Sequence, residues 1–488
     1  MYFNSYIFVL AFLPVTLLGY YNINRMKKYR VGEAWLLAAS LFFVGYLNIM
    51  YVWITLISIG MGYIFLKGVS CRSYSHLLKK TILIIGIVFH IGFLFYFKYS
   101  NFFLENLNYI FKSDFVLRDI ILPIGISFYT FQQIAYLVDC YKTPDIKCGL
   151  LEYSVFVTFF PKFLQGPILL HEDILPQLRD EKNKQFSFEQ FSKGLYMFAL
   201  GLGKKVLLAD NIACIVNVGY GNITKLNSPS AFLTMLAYSL QLYFDFSGYS
   251  DMAIGLGEMF GIKLPFNFNS PYKAVTVTDI WSRWHMTLTR FFTRYIYIPL
   301  GGNRKGTLRM YLNTVVVFLV SGLWHGAAWT FILWGCLHAV AYACSKFLQR
   351  NNISFPRIIG WICTFLFWVF SFAIFRASSL EEAKQLFSQL LYGGMGRLNV
   401  KFFNAIEYQM EIRILQRLDV TGILEVFPEL VVILLVLLPL IGCVWMKNTQ
   451  QKLEQFRFTY PNLWVTVVLL FFSILSFGGM NIFLYVNF

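Results

Sequence analysis

The chain has 488 residues, of which 57% are hydrophobic and only 14% carry a charge. Soluble domains are about 45–50% apolar and about 25% charged, so these numbers exclude an ordinary soluble protein, a disordered chain and a disulfide scaffold. The net charge is +16, and the basic residues form short clusters between apolar runs. Such clusters are typical of membrane topology signals rather than of nucleic-acid binding, and the chain is predicted to be an all-α, polytopic membrane protein.

A helix that crosses a bilayer needs roughly 20 mostly apolar residues. On that basis we predict eleven or twelve crossings, several of them short or broken by glycine and proline. A further apolar stretch, residues 191–218, is interrupted by Lys204, Lys205 and Asp210. The predicted spans are residues 4–20, 34–48, 50–66, 81–97, 121–140, 150–165, 230–262, 308–321, 326–346, 357–376, 429–447 and 462–485.

Polar stretches occupy residues 171–190, 263–306 and 377–428. In the last of these, serines at 378–379 precede glutamates at 381–382, which predicts a doubled capping box and a helix that ends at Gly393–Gly394. No internal repeat or low-complexity linker is visible. We therefore expect one membrane domain over residues 1–488, with a core at about 80–350 and a C-terminal extension that carries an amphipathic loop at 377–428 and two final spans.

His325 is the histidine with the most suggestive surroundings, because it lies in the segment SGLWHG at 321–326, directly after Trp324. Glycines allow close backbone approach, a tryptophan beside an imidazole excludes water, and a buried neutral histidine suits a general base for a hydroxyl. A structural hydrogen-bonding role is the alternative. Of the other histidines, His76 and His171 are expected on polar surface, and His90 and His338 are expected to be hydrogen-bonded inside the bundle.

His285 lies in the segment TDIWSRWHMTLTRFFTR at 278–294. As a continuous helix capped by Thr278, this segment stacks Arg283, Arg290 and Arg294 on one face and turns His285 toward the aromatic side. The cationic face fits either lipid headgroups or an anionic cofactor. In the second case His285 faces a reaction chamber.

Asp245 lies among aromatic residues in QLYFDFSGYSD at 241–251. A buried carboxylate needs a partner, and a histidine or an arginine would serve. Asp245 is therefore a candidate to orient a catalytic imidazole, and a structural hydrogen-bond acceptor is the alternative. The dispersed cysteines, with no C-x-x-C pair and no His/Cys cluster, predict no metal site. No phosphate-binding loop, dinucleotide fingerprint or G-x-S-x-G elbow is present.

Several motifs in order resemble the membrane-bound O-acyltransferase (MBOAT) family, and in particular its bacterial alginate O-acetyltransferase (AlgI-type) subgroup. The two histidines are 40 residues apart, and together the motifs cover most of the chain. The matching segments are LPIGISF at 122–128, FPKFLQGP at 160–167, the Asp245 segment, WSRWH at 281–285, YIPLGGNR at 297–304, LWHG at 323–326 and FRASSLEEA at 375–383.

The resemblance implies a helical bundle around a catalytic tunnel, with His325 as the catalytic histidine and His285 assisting it. It implies a donor that approaches from the cytoplasm, with acetyl-CoA as acyl donor and no permanently bound cofactor. Arg283, Arg290 and Arg304 are the expected contacts for donor phosphates, with Trp324 beside the donor, because a guanidinium offers a rigid fork of donors to phosphate oxygens.

The subgroup implies O-acetylation of an extracytoplasmic polysaccharide such as alginate, cellulose or peptidoglycan. It implies a bacterial inner or plasma membrane location and a partner acetyltransferase on the outer side. D-alanyl transfer to teichoic acid from a carrier-protein thioester (DltB type) is the close alternative. Two hypotheses of other classes also stand, a glycan flippase or transporter and a membrane scaffold whose 377–428 region recruits an enzyme.

Overall fold

The computed structural model describes residues 1–143, 148–407, 428–479 and 484. Over that part of the chain the secondary structure is helical, with no strand. The chain groups into two compact units. The first unit is Met1–Phe198 with Ser250–Phe266, and the second is Ala199–Tyr249 with Asn267–Phe488. The single membrane domain expected from the sequence stays a prediction.

The first unit consists of nine helices and parts of two more. The chain enters it through a π-helical turn at Phe8–Phe12. Its helices are α1 (Leu13–Arg25), α2 (Tyr29–Gly45), α3 (Ile49–Ser70), α4 (His76–Lys98), α5 (Ser100–Phe111), α6 (Ile126–Lys142), α7 (Leu150–Thr158), α8 (Phe160–Phe163), α9 (His171–Arg179), the start of α10 (Phe188–Gly203) and the end of the 32-residue α12 (Ser228–Met259).

The second unit holds the rest of α10 and α12. A π-helical segment, Lys204–Ala209, joins α10 to α11. The remaining helices are α11 (Asp210–Gly221), α13 (Val277–Arg283), α14 (Met286–Phe292), α15 (Thr307–His325), α16 (Trp329–Arg350), α17 (Arg357–Arg376), α18 (Leu380–Tyr392), α19 (Val400–Glu407), α20 (Pro428–Trp445), α21 (Thr449–Glu454) and α22 (Tyr460–Leu475).

Six described helices are long and apolar enough to cross a membrane, namely α3, α4, α15, α16, α17 and α20. Each of them lies where a span was predicted, and α17 coincides with its prediction at both ends. The multi-pass character expected from composition is confirmed. The count of eleven or twelve crossings stays a prediction, because the other apolar segments form shorter or more polar helices.

The span predicted over residues 150–165 is not one helix. It divides into α7 and α8, because Phe159 between them leaves the helical region of backbone space (φ −42°, ψ 106°). Pro161 follows at the start of α8, where its missing N–H needs no partner. A proline at this position is compatible with a new helix but not with continuation of the old one.

The cap predicted before residue 380 is confirmed in its first bond, with Ser379 as the N-cap, whereas the return bond of Glu382 goes to Ser378, one residue before the N-cap. Ser379 Oγ accepts a hydrogen bond from the backbone N–H of Glu382 at 3.1 Å, and the Glu382 carboxylate accepts in turn from the Ser378 hydroxyl at 2.6 Å. The helix ends as predicted, with Gly393 as its C-cap and Gly394 at φ +71°. Residues 408–427 of the predicted amphipathic loop lie outside the described residues.

Glycines set how closely α15 and α16 pack. A Cβ built on Gly322 would lie 2.4 Å from the carbonyl oxygen of Phe331, and one built on Gly335 would lie 2.6 Å from the carbonyl oxygen of Phe318. Only residues without a side chain fit at these two crossings. The close contact fixes the C-terminal end of α15, where His325 is the last helical residue.

Candidate active site

The segment predicted as one amphipathic helix is broken beside His285. Helix α13 ends at Arg283, Trp284 is extended, and His285 has left-handed backbone angles (φ +44°, ψ +51°) before α14 begins at Met286. The N-cap of α13 is Thr276, not Thr278. Because the helix is not continuous, the expected common face of Arg283, Arg290 and Arg294 does not form.

The segment around Asn267 stabilises this break. The Asn267 carbonyl accepts from the backbone N–H of Met286 at 3.0 Å, and its side-chain oxygen accepts from the Thr287 hydroxyl at 2.6 Å. On the other side of the break, the N–H of Asn269 donates to the Arg283 carbonyl at 2.9 Å. These bonds satisfy backbone groups that a helix interruption leaves open, and they hold a conformation that a non-glycine residue rarely adopts.

His285 is fully buried and stands against aromatic rings. Its imidazole centroid lies 4.7 Å from the Phe246 ring and 5.9 Å from the Trp324 ring. Neither ring nitrogen has a hydrogen-bond partner in another residue of the described chain. Burial lowers the pKa of His285 to about 3. The imidazole is therefore neutral near pH 7, with one N–H and one lone pair unused by the protein.

His325 is buried in an aromatic cage that also includes Trp324. Its ring centroid lies 4.8 Å from Trp324, 5.2 Å from Trp334 and 5.2 Å from Phe375, each in an edge-to-face arrangement. Because Trp324 contacts both imidazoles, the structure brings His285 and His325, which are far apart in sequence, to one tryptophan. Such a water-poor aromatic pocket strengthens any hydrogen bond formed to a reacting group.

The glycines next to His325 pack closely against α16, and their expected approach to a ligand stays a prediction. Gly322 packs on the backbone of α16, and a Cβ on Gly326 would lie 2.0 Å from a ring carbon of Phe331. Phe331 in turn contacts Phe375 at 4.8 Å between centroids. The glycines therefore let α16 close the aromatic cage over His325.

Asp245 is paired with a buried lysine rather than with a histidine. Lys205 Nζ donates to Asp245 Oδ1 and to Asp210 Oδ1, both at 2.7 Å. The second oxygen of Asp245 accepts from the backbone N–H of Leu484 at 3.0 Å. The side chains of Lys205 and Asp245 are each 1% exposed. The carboxylate thus anchors the π-helical segment to α12, one residue before Phe246, which contacts His285.

The three arginines expected at donor phosphates lie in different surroundings. Arg283 is bound by Asp279, with Nε 2.7 Å from Oδ1, and it also donates to the Asn269 carbonyl. Arg290 is half-buried on α14. Arg304 is exposed in the turn before α15. Their recruitment by a donor stays a prediction.

The remaining histidines differ in part from expectation. His338 accepts from Trp281 Nε1 at 3.2 Å, as expected for a bundle histidine, and His76 contacts the Tyr141 hydroxyl at 3.0 Å. His171 is not simply solvated, because it stacks on Tyr136 and lies 3.4 Å from Asp139. His90 is buried in the first unit with neither ring nitrogen paired among the described residues.

Three residues at the site were not singled out from the sequence. Phe246 and Trp334 line the two imidazoles, and Asn267 holds the break at His285. No sequence signal separates them from the many other aromatic and amide residues of this chain. Their importance comes from tertiary contacts of Phe246 with His285, of Trp334 with His325 and of Asn267 with Thr287, which local patterns do not encode.

The left-handed backbone of His285 predicts an unusual order of variant stability. A left-handed non-glycine residue costs roughly 1–2 kcal/mol, whereas glycine adopts this conformation freely. We expect His285→Gly to be about 1 kcal/mol more stable than His285→Ala in free energy of unfolding, although both lack the imidazole.

The control is the same pair of substitutions at His338, which is helical. There alanine is the more stable residue by about 1 kcal/mol. Thermal unfolding of the four purified variants measures both differences. If His285→Ala is at least as stable as His285→Gly, the backbone at this site carries no strain.

Comparison with known proteins places the chain in a family of membrane acyltransferases. The chain matches the sequence profile described as MBOAT, membrane-bound O-acyltransferase family, over residues 41–381. It is 42% identical over 411 residues to the peptidoglycan O-acetyltransferase of Helicobacter pylori, covering 78% of each chain. It is 38% identical over 413 residues to the protein named "Probable alginate O-acetylase AlgI" of Pseudomonas aeruginosa, covering 82% of this chain and 76% of the relative.

The chain is also similar, at lower identity, to a protein named for a different activity. The teichoic acid D-alanyltransferase of Bacillus subtilis is 28% identical over 287 residues, which cover 54% of this chain and 71% of the relative. The family profile covers both histidines, α12 and the broken helix between α13 and α14. On this match and on the extent of the acetyltransferase similarity, the chain belongs to the membrane-bound O-acyltransferase family and is an O-acyltransferase.

Proposed function

We propose that this enzyme transfers an acetyl group from a cytoplasmic thioester, acetyl-CoA, to hydroxyl groups of an extracytoplasmic polysaccharide. The observation that carries the proposal is the pair of buried imidazoles, His285 and His325, that contact one tryptophan, Trp324. Acyl transfer to a hydroxyl needs a group to remove the hydroxyl proton and a group to stabilise charge on the carbonyl oxygen. Two buried histidines in a water-poor aromatic pocket can provide one of each.

In the proposed reaction His325 acts as general base. Its imidazole takes the proton of the acceptor hydroxyl while that oxygen attacks the thioester carbonyl. When the carbon–sulfur bond breaks, the same proton passes to the departing coenzyme A thiolate, which leaves as a thiol. The imidazole returns to its neutral form, so protons and charges balance over one turnover.

His285 is proposed to donate its ring N–H to the carbonyl oxygen as negative charge develops there. The support is its full burial, its lowered pKa and the absence of a competing partner for its nitrogens in the described chain. Because a neutral imidazole retains its donor across the physiological pH range, this contribution does not require His285 to change its charge. The strained backbone of His285 fixes the direction in which that donor points.

Arg304 and Arg290 are the proposed contacts for the donor phosphates. Arg304 is exposed, whereas Arg283 already binds Asp279 and would have to exchange that partner. The proposal places the enzyme in the inner or plasma membrane and passes the acetyl group to a partner acetyltransferase or directly to the polysaccharide. The extent of similarity to the peptidoglycan and alginate enzymes, about four fifths of this chain, favours acetyl over D-alanyl transfer.

A donor-exchange assay in sealed membrane vesicles tests this proposal. Vesicles of each orientation, carrying either the wild-type chain or His325→Ala at matched expression, receive isotope-labelled acetyl-CoA or a labelled D-alanyl carrier-protein thioester. We expect label from acetyl-CoA to leave the donor only when His325 is present and the cytoplasmic face is accessible.

Three outcomes would contradict parts of the proposal. Transfer only from the D-alanyl thioester would assign the enzyme to the teichoic acid reaction. Turnover of acetyl-CoA from the opposite face would reverse the proposed direction. Equal turnover with His325→Ala would remove His325 from the mechanism.

A further inference from the structure

The second unit contains a cavity of about 740 Å³ that does not include either of the two site histidines. It lies between the start of the π-helical segment at Gly203–Lys204, the middle of α12 at Tyr243–Phe244, and the helices α20, α21 and α22. Its volume is in the range of ligand-binding cavities in proteins. Nothing in the proposed acyl transfer uses it.

The long walls of this cavity are apolar and belong to two hydrophobic helices. Trp464 and Leu438 are 65% and 58% exposed, so the opening between the helices faces away from the protein interior. Helix α20 is apolar enough to cross a membrane, and α22 is a shorter apolar helix. The walls consist of Leu438, Pro439, Gly442, Cys443 and Met446 on α20, and Trp464, Val465, Val468 and Leu469 on α22.

One end of the cavity is cationic. Among the described residues that line it, Lys204, Lys447 and Lys452 are basic and none is acidic. Lys447 lies two residues after the end of α20, and Lys452 lies in α21, which connects α20 to α22. Lys204 Nζ donates to the Thr449 hydroxyl in α21 at 3.4 Å. The three lysines therefore gather at the connection between two apolar helices, which is the level of lipid headgroups if these helices cross the bilayer.

We propose that this cavity binds an anionic phospholipid. Its headgroup phosphate contacts the three lysines, and an acyl chain lies in the apolar slot between α20 and α22. The charge at the lysine end selects an anionic headgroup over a zwitterionic one. The apolar walls favour a lipid over the nucleotide part of coenzyme A, which would require hydrogen-bonding partners for its base and sugar. This site is independent of the proposed acetyl transfer.

Two variants of the full chain alter the two halves of the site. Lys447→Gln with Lys452→Gln removes two of the three cations, both at a solvent-accessible end. Gly442→Leu fills the apolar slot, and it should fold normally because a Cβ at Gly442 meets only Met446 Sδ at 3.5 Å. The matched control is Lys384→Gln with Lys401→Gln, which removes two exposed lysines outside the cavity.

Native mass spectrometry of the delipidated protein in neutral detergent measures the binding of phosphatidylglycerol and of phosphatidylcholine with the same acyl chains. We expect the wild type and the control to hold one phosphatidylglycerol in preference to phosphatidylcholine. The attraction between two lysines and an anionic headgroup corresponds to roughly a thirtyfold difference in affinity. We therefore expect the double lysine variant to bind phosphatidylglycerol roughly thirtyfold more weakly than the wild type. Gly442→Leu should weaken binding of both lipids.

Equal affinity of the wild type and the double lysine variant for phosphatidylglycerol would overturn the proposal. Equal affinity of the wild type for both lipids would do the same. Release of phosphatidylglycerol by excess coenzyme A would assign the cavity to the acyl donor instead. Unchanged binding in Gly442→Leu would show that the lipid is not held in this slot.

Discussion

Replacing His325 with alanine is expected to lower the rate of acyl transfer by about 10²–10⁴-fold while the protein remains folded. The imidazole lies in a cage of Trp324, Trp334 and Phe375, and no other described histidine contacts those three rings except His285 and His338. His285 contacts Trp324 and His338 contacts Trp334, so the expected loss requires that neither imidazole takes over the role of His325. The measurement is the initial rate of acetyl release from labelled donor in membranes with matched expression.

The control for this experiment is His90→Ala. His90 is also a buried imidazole on a long apolar helix, but it belongs to the first unit, whereas His325 belongs to the second. We expect this variant to lose stability comparable to that of His325→Ala and to retain transfer. If both variants lose activity in proportion to their loss of folded protein, His325 is structural and the proposed mechanism fails.

Replacing Lys205 with methionine is expected to destabilise the protein by about 3–5 kcal/mol, a large fraction of the stability of most domains. The ammonium lies between Asp245 and Asp210, and its removal leaves two carboxylates close together with the cation between them gone. Buried charges without a partner are among the most destabilising changes known. Thermal unfolding in detergent should show a lower midpoint and reduced yield.

A triple variant separates this structural role from a catalytic role of Asp245. Lys205→Met combined with Asp210→Asn and Asp245→Asn leaves no buried charge in the cluster, so most of the stability should return. If Asp245 acts only through its ion pair, transfer returns together with folding. A folded but inactive triple variant would instead support the catalytic role expected for Asp245 from the sequence. Lys384→Met, at a pair whose lysine is 77% exposed and whose glutamate is 65% exposed, should change stability by less than about 1 kcal/mol.

Much of the fold follows from local patterns. Hydropathy over about 20 residues predicted the positions of the six described helices that are long and apolar enough to cross a membrane, and α17 agrees with its prediction at both ends. The N-cap at Ser379 was equally predictable, because its bond to the N–H of Glu382 joins residues three positions apart. Local patterns predicted one continuous helix at two places where the structure has two helices. In each case the backbone of one residue, Phe159 or His285, leaves the helical conformation and breaks the helix.

The main residues of the candidate site were also predictable from the sequence, but their partners were not. His285, His325 and Trp324 were named from the sequence, and the structure brings them together. The partner of Asp245 was not predictable, because a carboxylate among aromatic residues accepts any cation, and Lys205 is 40 residues away. Nor could the sequence indicate that Asn267 holds the break at His285.

The sequence alone determined that this is a helical membrane protein and singled out His285 and His325 as candidate site residues, because composition, hydropathy and short motifs are properties of neighbouring residues. Only the tertiary structure decided the surroundings of those histidines. Which ring lies against an imidazole, which lysine neutralises a buried carboxylate and which asparagine holds a strained backbone all depend on contacts between distant segments. Such contacts are selected by packing and desolvation over the whole fold, and no local pattern contains them.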